Sequence, residues 1–154
     1  MTRKEVITAL KPYFKIQELV CAHTYKAFGE KSWQFFDKEY LETLLILRRD
    51  IFKSPMTVNN WHAGGTFSQR GFRCNICQLT RDKTIAGKIY LTAHANGCAT
   101  DSSVKGLTAA QARKKIKDNK ALLPYNIRVE KSVSWLHTDI YDSGSAGKYT
   151  EFAG

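Results

Sequence analysis

The sequence predicts an α+β domain, and three observations carry that expectation. Residues up to about 54 place apolar side chains at helical spacing between recognisable caps and stops. Beyond them come short alternating runs of strand type, interrupted by one further helical stretch. No internal repeat and no second domain divides the 154 residues, a length sufficient for one sizeable core.

The helical third opens with Thr2 as N-cap, and Val6, Ile7, Leu10 and Phe14 follow at helical spacing until Pro12 breaks or kinks the run. A second apolar-periodic stretch extends from Ile16 to about Phe28 and stops at Gly29. Asp37 caps the third helix, with Glu39 and Glu42 in its early turns. Tyr40, Leu41, Leu44, Leu45 and Leu47 form its buried stripe, and Arg48 and Arg49 suit its C-terminal end. These helices read as scaffold.

Met56 to Trp61 is a short β-type run after Pro55. From His62 to Lys83 the pattern fades and glycines stand at 64, 65 and 71, which reads as a long, functional loop. Ile89 to His94 reads as a strand. Thr108 caps a helix that runs towards Leu123 and ends at Pro124. Ile127–Ser132 and Trp135–Tyr141 are two alternating segments separated by two residues, the spacing of a hairpin. The tail from Ser143, rich in Gly, Ser and Ala, is expected to be mobile.

Composition narrows the class. Hydrophobic content of 43% with 12% aromatic residues argues against a disordered chain. No apolar run approaches the roughly 20 residues of a membrane helix, and Met-Thr-Arg-Lys-Glu lacks the apolar core of a secretory signal, so synthesis in a cytoplasm is expected. The formal charge, 24 − 14 = +10, favours polyanionic surroundings. Specific nucleic-acid recognition is not expected: the one dense basic run, Arg113 to Lys117, suits a solvated helix face, and the aromatics sit at core-type positions. Four cysteines, at 21, 74, 77 and 98, fit a reduced compartment rather than a disulfide framework.

The chemistry-bearing residues fall in two places. His94 and Asp101 flank an Asn96-Gly97 turn dipeptide that can bring them side by side. Period-two alternation places Trp135, His137 and Asp139 on one strand face and Leu136, Thr138 and Ile140 on the other. Two histidines and a carboxylate can close on one divalent metal, and three protein ligands with an open position suit a catalytic zinc. Separately, Cys74-x-x-Cys77 is half of a structural zinc site, which Cys21 and His23 can complete. A pair of free thiols is the alternative.

The two-part pattern Thr92-x-His94-x-x-Gly97-x-Ala99-x-Asp101, then Trp135-x-His137-x-Asp139, resembles the zinc D-alanyl-D-alanine carboxypeptidase family, which shares its fold with the Hedgehog signalling domain. The resemblance spans roughly residues 55–142, with Thr92 in place of the family's serine. The Asn59-Asn-Trp-His loop and the N-terminal helices are similar to phage-encoded members. It implies a small, mainly antiparallel sheet carrying the zinc site against N-terminal helices of residues 1–54, with a core at 55–142 and a flexible tail at 143–154.

The resemblance implies His94, Asp101 and His137 as zinc ligands. Gly71-Phe72-Arg73 matches the family's Gly-aromatic-Arg element, making Arg73 the substrate-binding guanidinium, with Arg70 as competitor. Many members carry an acid three residues before the last histidine; this chain has Ser134 there. The general base is therefore expected at Glu130, with Asp139 as alternative. The implied activity is hydrolysis of a peptidoglycan stem peptide by a monomer, at a D-Ala-D-Ala or an L-Ala-D-Glu bond. A phage endolysin reaching the wall after release fits best, with a bacterial carboxypeptidase or a non-catalytic zinc-containing wall-binding module as alternatives.

Overall fold

The computed structural model describes residues 1–141, 144 and 147–154, folded as α+β. The helices are α1 (Arg3–Leu10), α2 (Ile16–Leu19), α3 (Ala22–Phe28), α4 (Lys38–Ile46), α5 (Gln78–Ile85) and α6 (Ala109–Asp118). The strands are β1 (Met56–Thr57), β2 (Ala99–Val104), β3 (Ile127–Glu130), β4 (Leu136–Asp139) and β5 (Tyr149–Phe152). They form one mixed sheet in the order β1-β2-β4-β3-β5, antiparallel throughout except for the parallel pair β3–β5.

The expected caps are in place. Thr2 and Thr108 each form a reciprocal capping box, with Glu5 and Gln111, and Asp37 accepts hydrogen bonds from the backbone N–H groups of Glu39 and Tyr40. After Ile46 the third helical segment continues through a π-type turn, Leu47–Phe52.

Other expectations give way to tertiary structure. The stretch from Ile16 to Phe28 is two helices, because Val20 leaves the helix to make a parallel bridge with Phe72. The β-type run after Pro55 pairs only at Met56 and Thr57, then turns through a 3-10 segment, Trp61–Ala63. The region expected to be one loop, His62 to Lys83, contains most of α5. Ile89 to His94 is not a strand: exposed Ile89 and Leu91 join no ladder among the described residues, and His94 lies in a turn. The tail is not uniformly loose either, since Tyr149–Phe152 adds β5 to the sheet; residues 143, 145 and 146 of that expectation lie outside the described residues.

One sheet face packs on the helices. Ile127, Val129, Leu136 and Val104 join Leu41, Leu44, Leu45, Phe52 and Ile116 in the core. On this face Tyr40 of α4 is fully buried, and its hydroxyl bonds the hydroxyls of Thr100 (2.7 Å) and Thr138 (3.0 Å), which are cross-strand partners on β2 and β4. The opposite face, carrying Asp101, His137 and Asp139, is left for a site.

Candidate metal centre

Asp101 and His137 are directly opposed across the β2–β4 ladder, so the sheet register itself brings a carboxylate to an imidazole. Asp101 Oδ1 lies 2.8 Å from His137 Nδ1. His94 enters from the preceding turn, where Gly97 adopts φ +68° with its Cα pressed against the Phe35 carbonyl; a Cβ there would stand 2.0 Å from that oxygen. The turn carries His94 Nε2 to 3.4 Å from Asp101 Oδ2. One ligand atom from each of His94, Asp101 and His137 lies within 4.8 Å of the others, and all three residues are buried. This group can hold a metal ion.

The outer nitrogens of both histidines are already committed, which tests whether the donor set suits a metal. His94 Nδ1 is 2.9 Å from the Gly71 carbonyl, an acceptor only, so Nδ1 carries the proton and Nε2 offers its lone pair inward. His137 Nε2–H donates to Asp139 Oδ2 at 2.9 Å, leaving Nδ1 to face Asp101. Carboxylate and carbonyl partners of this kind fix the tautomer and ring orientation of metal-ligating histidines. Asp139 is itself held by Arg128 through two parallel bonds of 2.9 Å and by the backbone N–H of Tyr141. The residues fit a metal.

The electrostatics follow from this packing. Burial lowers the His94 pKa, only partly offset by Asp101. Burial alone would also lower that of His137, but hydrogen bonds to Asp101 and Asp139 raise it to about 9. Burial works to raise Asp101, yet the two histidines hold it well below the usual carboxylate range. Asp139 is likewise held low, against its burial, by His137 and Arg128.

These residues line one side of a cavity of about 450 Å³. Arg73, Glu130, Tyr90, Trp135 and Phe152 line it as well. Arg73 is buried, donates to the Gln69 carbonyl and to the Tyr90 hydroxyl, and reaches Asp101 Oδ2 at 3.3 Å. Arg70 turns elsewhere: its guanidinium stacks over the Phe67 ring and bonds Ser103 Oγ. Of the two candidate arginines, Arg73 is the one beside the cluster. Of the two candidate bases, Asp139 is consumed by His137, Arg128 and Tyr141. Glu130 stands on the cavity wall with no hydrogen-bonded partner among the described residues, its carboxylate against the Cα of Gly154. Ser134 lines neighbouring depressions and not this cavity.

Several residues of the site escaped the sequence. Arg128 lies opposite Asp139 in the β3–β4 ladder, a pairing that the two-residue hairpin spacing encodes. Phe152, whose ring stands nearly perpendicular to that of His137 with centroids 5.6 Å apart, arrives on a parallel strand that no local pattern announces. Tyr90 had no signal beyond being aromatic in a run that reads as a strand.

The second expected group also assembles: Cys21, His23, Cys74 and Cys77 bring their ligand atoms within 4.8 Å of one another and can hold a metal ion. Cys98 stands apart, its thiol bonded to the Asn96 carbonyl. No helix among the described residues is long and apolar enough to cross a membrane. No family model, curated protein or solved structure matches the chain.

Proposed function

We propose that this protein is a zinc-dependent peptidase acting on the stem peptide of bacterial peptidoglycan, built on a Hedgehog/D-Ala-D-Ala-carboxypeptidase type of fold. One observation carries the reading. Three metal-type ligands, two of them histidines with committed outer nitrogens, face a cavity whose other walls supply Glu130, a carboxylate with no hydrogen-bonded partner among the described residues, and a buried guanidinium, Arg73. Two zinc ions per chain are proposed, one at each cluster, and the His94–Asp101–His137 site is the one that opens on the cavity lined by Glu130 and Arg73.

Bound zinc supplies Lewis acidity and a water made acidic enough to attack near neutral pH. The chain's own residues do the rest. Glu130 takes a proton from the attacking water on a carboxylate oxygen and delivers it to the departing amine, a contribution of about 10²–10⁴ in rate. Arg73 orients the substrate carbonyl or carboxylate with paired donors. Tyr90 steadies that guanidinium, while Leu91, Ile89 and Trp135 give the cavity an apolar lip for a peptide. Asp139 and Arg128 hold His137 and take no proton.

The second reading is a non-catalytic wall-binding module, favoured by Ser134 where the family commonly keeps its acid. Digestion of purified peptidoglycan by zinc-loaded wild type and Glu130→Gln, read by mass spectrometry of released muropeptides, separates the two. Cleavage by wild type alone supports the peptidase and identifies the bond. Full zinc loading with retained wall binding and no cleavage overturns it in favour of the module.

A further inference from the structure

The second cluster joins two distant parts of the chain. Cys21 is the residue before α3 and His23 lies in the first turn of that helix, while Cys74 and Cys77 precede α5. The two halves are tied by backbone bonds: Phe72 N–H donates to the Leu19 carbonyl at 2.8 Å and Cys21 N–H to the Phe72 carbonyl at 3.2 Å. Gly71 is pressed so closely on Leu19 that a Cβ would stand 2.0 Å from the Leu19 carbonyl oxygen.

Distances within the cluster match a tetrahedral ion. Cys74 Sγ lies 3.6 Å from His23 Nδ1 and 3.8 Å from Cys77 Sγ, and Cys77 Sγ lies 3.8 Å from His23 Nδ1. A tetrahedron with metal–sulfur bonds of about 2.3 Å and a metal–nitrogen bond of about 2.0 Å has edges of about 3.8 Å between sulfurs and about 3.5 Å from sulfur to nitrogen. A disulfide would need sulfurs about 2.05 Å apart, and all four cysteines are free thiols. Three thiolates and one imidazole leave no position for water or substrate, the closed donor set of a structural zinc.

The run between the clusters touches both. Gly71 offers its carbonyl to His94 Nδ1, Arg73 N–H donates to the His94 carbonyl and its side chain reaches Asp101, and the next residue is Cys74. We propose that Cys21, His23, Cys74 and Cys77 hold a structural zinc clamp that fixes the Gly71–Arg73 run and thereby orients His94 for the ion at the cavity. The clamp itself is independent of the peptidase reading; its effect on His94 rests on the cavity site binding metal. These four residues are positioning groups, because none of them faces the cavity.

The test uses the full chain. Zinc content should be about two per chain in wild type and about one in His137→Ala. Cobalt(II) loaded into His137→Ala should give a thiolate-to-metal charge-transfer band in the near ultraviolet. In wild type, Cys21, Cys74 and Cys77 should resist a thiol reagent until a chelator is added, a measurement that needs no variant. Cys77→Ser should weaken metal binding at the cavity site by about 10–100-fold, the usual cost of losing an orienting partner, with recovery in Cys77→His. Metal-free His137→Ala, or thiols equally reactive with and without chelator, overturns the clamp. Unchanged metal affinity at the cavity site in Cys77→Ser overturns the coupling. Neither outcome depends on whether peptidoglycan is cleaved.

Discussion

Asp139 Oδ2 stands 2.9 Å from His137 Nε2, two residues along the same strand, and Arg128 grips both oxygens of that carboxylate. The acid therefore acts on the cavity through the imidazole. Asp139→Asn should lower metal affinity at this site by about 10–100-fold, because the amide is a weaker partner for Nε2–H and leaves Arg128 uncompensated. Competition against a chelator measures it. An unchanged affinity would show that Asp139 does not orient the ring.

Glu130→Gln should leave zinc content and melting temperature unchanged while slowing muropeptide cleavage by about 10²–10⁴. The side chain has no hydrogen-bonded partner among the described residues to lose. A parallel fall in zinc content would instead make it a ligand.

The metal-free protein should lose stability as pH rises from about 6.5, the ordinary histidine value, through about 9, the folded value of His137. A raised pKa stabilises the fold below the lower value, and that gain, on the order of 3 kcal/mol, vanishes above the higher one. Metal affinity should rise over the same window, since the ion displaces the Nδ1 proton. Denaturant titrations of chelator-treated wild type and His137→Ala from pH 6 to 10 check the sign; equal slopes would refute it.

Tyr40→Phe should destabilise the protein by about 1–2 kcal/mol, because the hydroxyls of Thr100 and Thr138 lose a shared partner in the core. Metal affinity should change little, since Tyr40 lies on the other face of the sheet. Thermal unfolding and the chelator competition together read both halves.

How much of this was legible depended on the range of the interactions. Capping residues and apolar spacing announced α1, α4 and α6, because those signals lie within a turn or two. Alternation put His137 and Asp139 on one face of β4, and the Asn-Gly turn placed His94 near Asp101. What failed was decided from afar. Val20 reads as helix but is claimed by Phe72; Ile89 and Leu91 read as strand but no strand among the described residues pairs with them. β5 is held by β3, across a stretch of chain that carries no pattern of its own. The choice of Arg73 over Arg70 turned on side-chain direction, which neighbouring residues of one type do not reveal.

The Gly71–Arg73 run fits between its neighbours by length as well as by chemistry. One end offers a carbonyl to His94, the other continues directly into Cys74, and backbone bonds to Leu19 and Cys21 leave no slack between them. A residue inserted or deleted there would shift Cys74 against His23, or Gly71 against His94, and a loop cannot absorb the change because both ends are pinned. Point substitutions at Phe72, half-buried between Phe35 and Phe36, should be far better tolerated than any change in spacing. This short run acts as a gauge block, setting the distance at which the two clusters can both be complete.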